Sequence, residues 1–168
     1  NMDIVLANQI GCGLAIAGAG LAVGLGCAGS GRGIGIASQA MAGVLSEKPD
    51  LFGRLLVLLA LPGTQGFYGF ITALMIFMRF GLTGGSPEVS VAAGLAMLVV
   101  GFGVGLALMV SATWQGEASA ASIGLVARRP EQFGRSIILP AMVETYAVVA
   151  LLVGILAINW LTSMTFGA

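Results

Sequence analysis

Long stretches without a charged residue occupy most of the chain. Three of them lie between bounding charges, namely Asp3 and Arg32, Arg54 and Arg79, and Glu88 and Glu117. After Arg135 the only charged residue is Glu144. A helix needs about 20 predominantly apolar residues to cross a bilayer, and each stretch is longer than that. The pattern therefore predicts four transmembrane helices, at about residues 5–30, 55–79, 89–114 and 136–160.

Composition supports a lipid environment. Hydrophobic residues make up 58% of the 168 residues and charged residues only 8%, whereas a soluble domain has about 25% charged residues. Histidine is absent, so an ordinary zinc or haem ligand set is missing. Seven basic residues balance 7 acidic ones, and without a basic patch we expect no nucleic-acid partner. We predict an all-α membrane protein in which residues 1–168 form a single membrane domain.

The basic residues predict the orientation of the chain. They flank the first and third inter-helix turns, at Lys48, Arg54, Arg128, Arg129 and Arg135. Cytoplasmic loops of membrane proteins carry an excess of Lys and Arg. Both short hairpin turns are therefore predicted to face the cytoplasm, and both termini the outside.

The second half of the chain repeats the first. A shift of 81 residues aligns SEKPDLFGR with ARRPEQFGR, so that Pro49 falls on Pro130. The sequence therefore predicts two tandem helical hairpins, residues 1–85 and 86–168, with the same orientation in the membrane. Parallel repeats favour a ring of like elements over the inverted halves of many transporters.

Glycine is concentrated in the first and third predicted helices. Pairs four residues apart recur there, among them Gly20 with Gly24 and Gly101 with Gly105. In lipid, small residues let helix backbones approach closely. The second and fourth helices are bulkier, so we expect thin helices at the small radius of a ring and thick helices outside.

One ionisable group lies deep in a predicted helix, and polar groups from two other helices lie at the same depth. These residues are Glu144, Thr64, Gln65 and Gln115. Each lies about 12–15 residues from the nearest cytoplasmic turn, or about 18–22 Å along a helix. A charge at mid-membrane costs about 2.5–3.5 kcal/mol on insertion scales and usually marks an ion pathway. The alternative is a neutral carboxylic acid that is hydrogen-bonded for packing.

The oxygen atoms of this layer suit a hard monovalent cation. Pro62 has no N–H and so releases a backbone carbonyl. Gly63, which the repeat aligns with Glu144, leaves space beside the layer. Tyr68 is placed to hold the Glu144 carboxylate, or alternatively is an interfacial aromatic residue. A proton carrier needs only a carboxyl group in apolar surroundings, so the additional oxygens favour Na⁺ over H⁺.

Three motifs at these positions carry a family resemblance: LPGTQGFYGF in the second helix, WQGEASAA in the third and PAMVETYA in the fourth. Over nearly its whole length the chain resembles the duplicated four-helix proteolipid (the c or K subunit) of V-type ATPases, and in particular the bacterial Na⁺-transporting form. The resemblance implies a homo-oligomeric rotor ring in a bacterial plasma membrane, surrounded by membrane lipids. It further implies a stator subunit with an essential Arg and a central-stalk subunit at the cytoplasmic turns.

The resemblance also implies a role for each polar residue. The metal ligands are expected to be Glu144, Gln115, Gln65, Thr64 and, through its carbonyl, Leu61. Tyr68 is expected to hydrogen-bond the carboxylate. The ring is expected to carry Na⁺, or alternatively H⁺, on Glu144, coupled to ATP hydrolysis by other subunits. The chain is not expected to be an enzyme on its own.

Two residues next to Gln115 depart from the family pattern. Trp114 is expected to affect the fit around the ion, and Glu117 to lie near the interface or to pair with a neighbouring subunit. Two other function classes accommodate a single membrane carboxylate. A four-helix antiporter predicts aromatic residues around Glu144, for which Trp114 and Tyr146 are the nearby candidates, and does not explain the parallel repeat. A structural scaffold predicts that Glu144→Gln is harmless.

Overall fold

Four long helical spans run through the structure, a computed structural model that describes residues 2–165. The first span is α1 (Met2–Leu45), and the third is α4 (Val91–Arg128). The second comprises α2 (Phe52–Ala60) and α3 (Thr64–Arg79), and the fourth comprises α5 (Phe133–Ser136) and α6 (Ile138–Thr165). Short 3₁₀ turns cover Pro49–Leu51, Leu61–Gly63 and Pro130–Gln132. Residues 2–165 contain no strand, and each span is long and apolar enough to cross a membrane. The all-α fold with four spans is confirmed.

The first and third spans are longer than a bilayer requires. α1 has 44 residues and α4 has 38. At about 1.5 Å per residue these helices are about 66 and 57 Å long, roughly twice the hydrocarbon thickness of about 30 Å. Both continue to the hairpin turn, well past the predicted ends near residues 30 and 114, because no proline interrupts α1 before Pro49 or α4 before Pro130.

The two hairpin turns have the same backbone. Lys48 has φ −134 and ψ 68, and its counterpart Arg129 has φ −139 and ψ 80. In each turn a 3₁₀ helix that starts with proline follows. The Lys48 Nζ donates to the Ala127 carbonyl, and the Arg54 guanidinium donates to the Pro130 carbonyl at 3.1 Å. The two turns therefore lie side by side at one end of the structure, as parallel repeats require.

At the opposite end Asn8 joins α1 to the connection before α4. Its Nδ2 donates to the Pro87 carbonyl at 2.8 Å, and its Oδ1 accepts the Val89 N–H at 2.7 Å. The predicted boundary at 85/86 lies in this connection, between Arg79 and Val91. The exact hairpin boundaries and the cytoplasmic orientation stay predictions.

Glycine brings α1 and α4 into direct backbone contact. A Cβ added at Gly101 would overlap the backbone of Gly18, and one added at Gly116 would overlap that of Gly33. α3 meets α1 in the same way, because Gly69 lies against the Ala22 carbonyl. The bulkier α6 packs on α4 through side chains. The pairing of thin helices that the glycine pattern predicts is therefore present within one chain.

Gly101→Ala is expected to lower the free energy of unfolding of the purified protein by about 1–3 kcal/mol. The added methyl group would overlap the Gly18 backbone, which cannot move aside as a side chain can. Gly124→Ala is the matched control. Gly124 lies on the same helix with no atom within 4 Å of an added Cβ, so there alanine is expected to stabilise by about 0.5–1 kcal/mol. Thermal unfolding in the same detergent measures both, and equal effects would contradict the backbone contact.

Candidate cation-binding site

The second span is interrupted by a 3₁₀ turn, and this interruption positions the polar groups of Leu61, Thr64 and Gln65. Pro62 is buried within the 3₁₀ turn between α2 and α3 and has no N–H for a regular helix. The Thr64 N–H and the Thr64 hydroxyl both donate to the Leu61 carbonyl, the hydroxyl at 3.1 Å. The Thr64 Oγ1 also lies 3.2 Å from the Gln65 Oε1. Three oxygen-bearing groups of one span are thereby gathered within one helical turn.

Two buried glutamines join the second span to the third. Gln65 on α3 and Gln115 on α4 are both 0% exposed. The Gln65 Nε2 donates to the Gln115 Oε1 at 2.6 Å and lies 3.3 Å from the Ser111 hydroxyl. The Gln115 Nε2 in turn donates to the Pro140 carbonyl at 3.0 Å and to the Glu144 Oε2 at 3.3 Å. Because buried amides need partners, this chain of hydrogen bonds fixes both side chains.

The Glu144 carboxylate ends the hydrogen-bonded chain. It is half-buried on α6. Its Oε1 accepts the Tyr68 hydroxyl at 2.8 Å, and its Oε2 accepts the Gln115 amide. Both oxygens are therefore held by groups from other spans. Tyr68 thus contacts the carboxylate, and its role in ion binding stays a prediction.

The structure thus brings together every oxygen-bearing residue that the sequence predicts for the site. They lie on three spans and are Leu61, Thr64, Gln65, Gln115 and Glu144. The oxygens of Leu61 and Gln65 lie 3.1 and 3.2 Å from the Thr64 Oγ1, as hydrogen-bonded partners do. With its one carboxylate the set is a candidate site for a monovalent cation, and the role of these residues as ligands stays a prediction.

Gly63 contacts the repeat counterpart of the residue that donates to Glu144. A Cβ added there would lie 3.3 Å from the Ile34 Cδ1 of α1, and among the described residues beyond its own span no other lies within 4 Å. The repeat shift aligns Ile34 with Gln115 and Gly63 with Glu144. The first hairpin therefore has an apolar side chain against a glycine where the second has an amide on a carboxylate.

Ser111 belongs to the polar cluster although it is not among the residues predicted from the sequence. It is 8% exposed, and its hydroxyl donates to the Val143 carbonyl at 3.3 Å. Its position one turn before Gln115 on the same helix is the signal that identifies it. The repeat counterpart Ser30 accepts the Gly66 N–H at 2.8 Å, so both serines join a thin helix to a thick one.

Trp114 and Glu117 lie outside the hydrogen-bonded cluster. Trp114 is 59% exposed and Glu117 is exposed. Two open grooves lie beside α4, and each side chain lines both of them. Arg32 lines the first groove and Tyr146 the second. The effect of Trp114 on the ion and the pairing of Glu117 with a neighbouring subunit stay predictions.

Comparison with known proteins identifies a family match and two similar proteins. The family model of the ATP synthase C subunit matches residues 17–76 and again 91–157. The V-type sodium ATPase subunit K of Enterococcus hirae is 34% identical over 157 residues, which cover 94% of this chain and 97% of that protein. The A-type ATP synthase subunit K of Methanocaldococcus jannaschii is 41% identical over 155 residues, 92% of this chain and 63% of that protein.

Proposed function

Because the chain belongs to the family of ATP synthase C subunits, we propose that it is the ion-binding subunit of a V-type rotary ATPase rotor ring and carries Na⁺ on Glu144. The observation that carries this proposal is the hydrogen-bonded cluster around that carboxylate. Three spans contribute oxygen-bearing groups to it, and the two glutamines between them are fully buried. A packing role alone gives no reason for so many polar groups in lipid.

The proposed ligands are the side chains of Glu144, Gln115, Gln65 and Thr64 together with the Leu61 carbonyl. Tyr68 holds the carboxylate in place through its 2.8 Å hydrogen bond. Pro62 supports the site by interrupting the second span just before Thr64. Gly63 supports it indirectly, since the absence of a side chain lets Ile34 pack there and leaves the break undistorted.

Na⁺ is favoured over H⁺ on two grounds. A proton needs one carboxyl oxygen, whereas this site places a hydroxyl, two amides and a carbonyl near the carboxylate. The relative from Enterococcus hirae is named a sodium ATPase subunit. H⁺ transport by the same carboxylate is the alternative.

Rotation follows from the electrostatics of a half-buried carboxylate. A bound cation neutralises Glu144, so the loaded site tolerates lipid. An empty site leaves a charge that is stable only beside a water-filled channel or a cation, and we propose an essential Arg of a stator subunit as that cation. The chain itself is non-catalytic. ATP is hydrolysed by other subunits, and a central-stalk subunit binds the hairpin turns on the cytoplasmic side of a bacterial plasma membrane.

The ratio of ions to ATP is expected to be low. Each four-helix chain has one carboxylate in the polar layer, and the first hairpin has Gly63 and Ile34 at the equivalent positions. A ring of such chains moves fewer ions per turn than a ring with one carboxylate per hairpin, which favours pumping against a steep gradient. Counting ions moved per ATP in the intact complex measures this ratio, and a value that requires two ions per chain would contradict it.

Carbodiimide labelling of the purified ring tests the proposed ion. The reagent attacks protonated buried carboxyl groups, and mass spectrometry locates the modification. Na⁺ is expected to slow the labelling of Glu144, because the cation occupies the carboxylate, whereas K⁺ at equal ionic strength is not. Labelling that depends on pH alone and ignores Na⁺ would establish the proton alternative.

Gln115→Leu is expected to weaken Na⁺ protection at least tenfold. The substitution removes an oxygen ligand and the amide that donates to Glu144, and hydrogen bonds to charged groups contribute about 1.5–3 kcal/mol. The matched control is Gln39→Leu, an exposed glutamine of α1. The Na⁺ concentration for half-protection is measured for each variant, and an unchanged value for Gln115→Leu would remove this residue from the ligand set.

A further inference from the structure

Helix α1 has two glycine faces on opposite sides. One face is buried against α4 and consists of Gly11, Gly18, Gly29 and Gly33. The other has no atom within 4 Å of an added Cβ and consists of Gly13, Gly20, Gly24, Gly31 and Gly35. At about 100° per residue, positions two residues apart such as Gly11 and Gly13 point about 200° apart. The second face therefore has no neighbour among residues 2–165.

The internal repeat indicates what the open face contacts. The four α4 glycines that press on α1 are Gly94, Gly101, Gly105 and Gly116. Shifted back by 81 residues, they become Gly13, Gly20, Gly24 and Gly35. The open face of α1 is thus the repeat copy of a face that already packs against a thin helix.

The opposite shift identifies the matching surface of α4. The buried α1 face maps onto four α4 residues that are all exposed in the single chain, Ala92, Val99, Val110 and Trp114. These residues are larger than glycine, and Trp114 is the largest of them. Each chain therefore has an open glycine face on α1 and an open face of larger residues on α4. The two faces point away from each other, on the outer sides of the α1–α4 pair.

We propose that α4 of one copy packs against α1 of the next copy, with Trp114 seated over Gly31 and Gly35. The register follows from a contact within the chain, in which Gly33 meets Ala112 and Gly116. The repeat counterpart of Gly33 on α4 is Trp114, and the counterparts of Ala112 and Gly116 on α1 are Gly31 and Gly35. The equivalent contact between two copies therefore places Trp114 of one against Gly31 and Gly35 of the next. This inference rests on the proposed function, because it requires a ring.

The size of the Trp114 side chain agrees with this contact. Trp114 is 59% exposed in the single chain, and two glycines one turn apart leave a recess for its indole. In membranes small residues provide such sites for helix association. The exposed Arg32 and Glu117 line the same groove as Trp114 within one chain, so their opposite charges border the proposed contact at one depth. The ring then alternates glycine-on-glycine contacts within chains and tryptophan-on-glycine contacts between them.

Disulfide cross-linking in the assembled ring tests the register. Trp114→Cys and Gly35→Cys are combined in a full chain whose Cys12 and Cys27 are replaced by Ala. Oxidation in membranes is expected to produce a ladder of covalent multimers on a denaturing gel, because every copy joins the next. The matched control pairs Trp114→Cys with Gly20→Cys. Gly20 lies on the same open face but about 22 Å along the helix, so that chain is expected to stay monomeric on the gel.

The outcomes separate this contact from the proposed function. An intact ring, weighed by native mass spectrometry, that yields no ladder, or one that cross-links equally well through position 20, would overturn the contact and leave the rotor function standing. A wild-type chain that forms no ring would overturn both.

Fluorescence provides a second measurement with milder substitutions. The sequence has two tryptophans. The Trp160→Phe variant retains only Trp114, and the Trp114→Phe variant retains only Trp160. Both side chains are exposed in the single chain, at 59% and 63%. In rings reconstituted with brominated lipid, Trp114 emission is expected to be quenched at least threefold less than Trp160 emission. Equal quenching would show that lipid, and not a second copy, covers Trp114.

Discussion

A carboxylate in a membrane needs partners, and the arrangement around Glu144 follows from that need. A single helix has too few polar groups to satisfy it, so two other spans supply hydrogen bonds, from Tyr68 on α3 and from Gln115 on α4. Gln115 is held in turn by Gln65. The energetic cost of one charge thus sets the positions of side chains on three spans.

The close approach of the thin helices makes this convergence possible. α1 and α4 touch through backbone atoms at Gly18 and Gly101 and at Gly33 and Gly116. A helix pair of normal width would push α3 and α6 apart, and the side chains of Gln65 and Glu144 would no longer reach a common partner. The polar layer therefore depends on the glycine contacts, although the two lie on different faces of the helices.

Much of the fold and most of the site could be predicted from the sequence. The absence of charge between Glu88 and Glu117 defines a span, and helical rise alone puts Gln65, Gln115 and Glu144 at one depth. Facing directions could not be predicted, because α1 and α4 are apolar on all sides and show no amphipathic pattern that separates inside from outside. For this reason the contact of Gly63 with Ile34 emerged only from the structure.

Backbone contact between α1 and α4 also determines how the subunit behaves as a mechanical part. Side chains between two helices act as soft spacers, since they change rotamer under load. Where Gly18 meets Gly101 no such spacer exists, so the two helices cannot move closer together without overlap of their backbones. The ties from Lys48 to the Ala127 carbonyl and from Arg54 to the Pro130 carbonyl stiffen the same pair of hairpins at their turns. The two hairpins are thus joined at their turns and along their thin helices, so a force on one hairpin moves both as a unit.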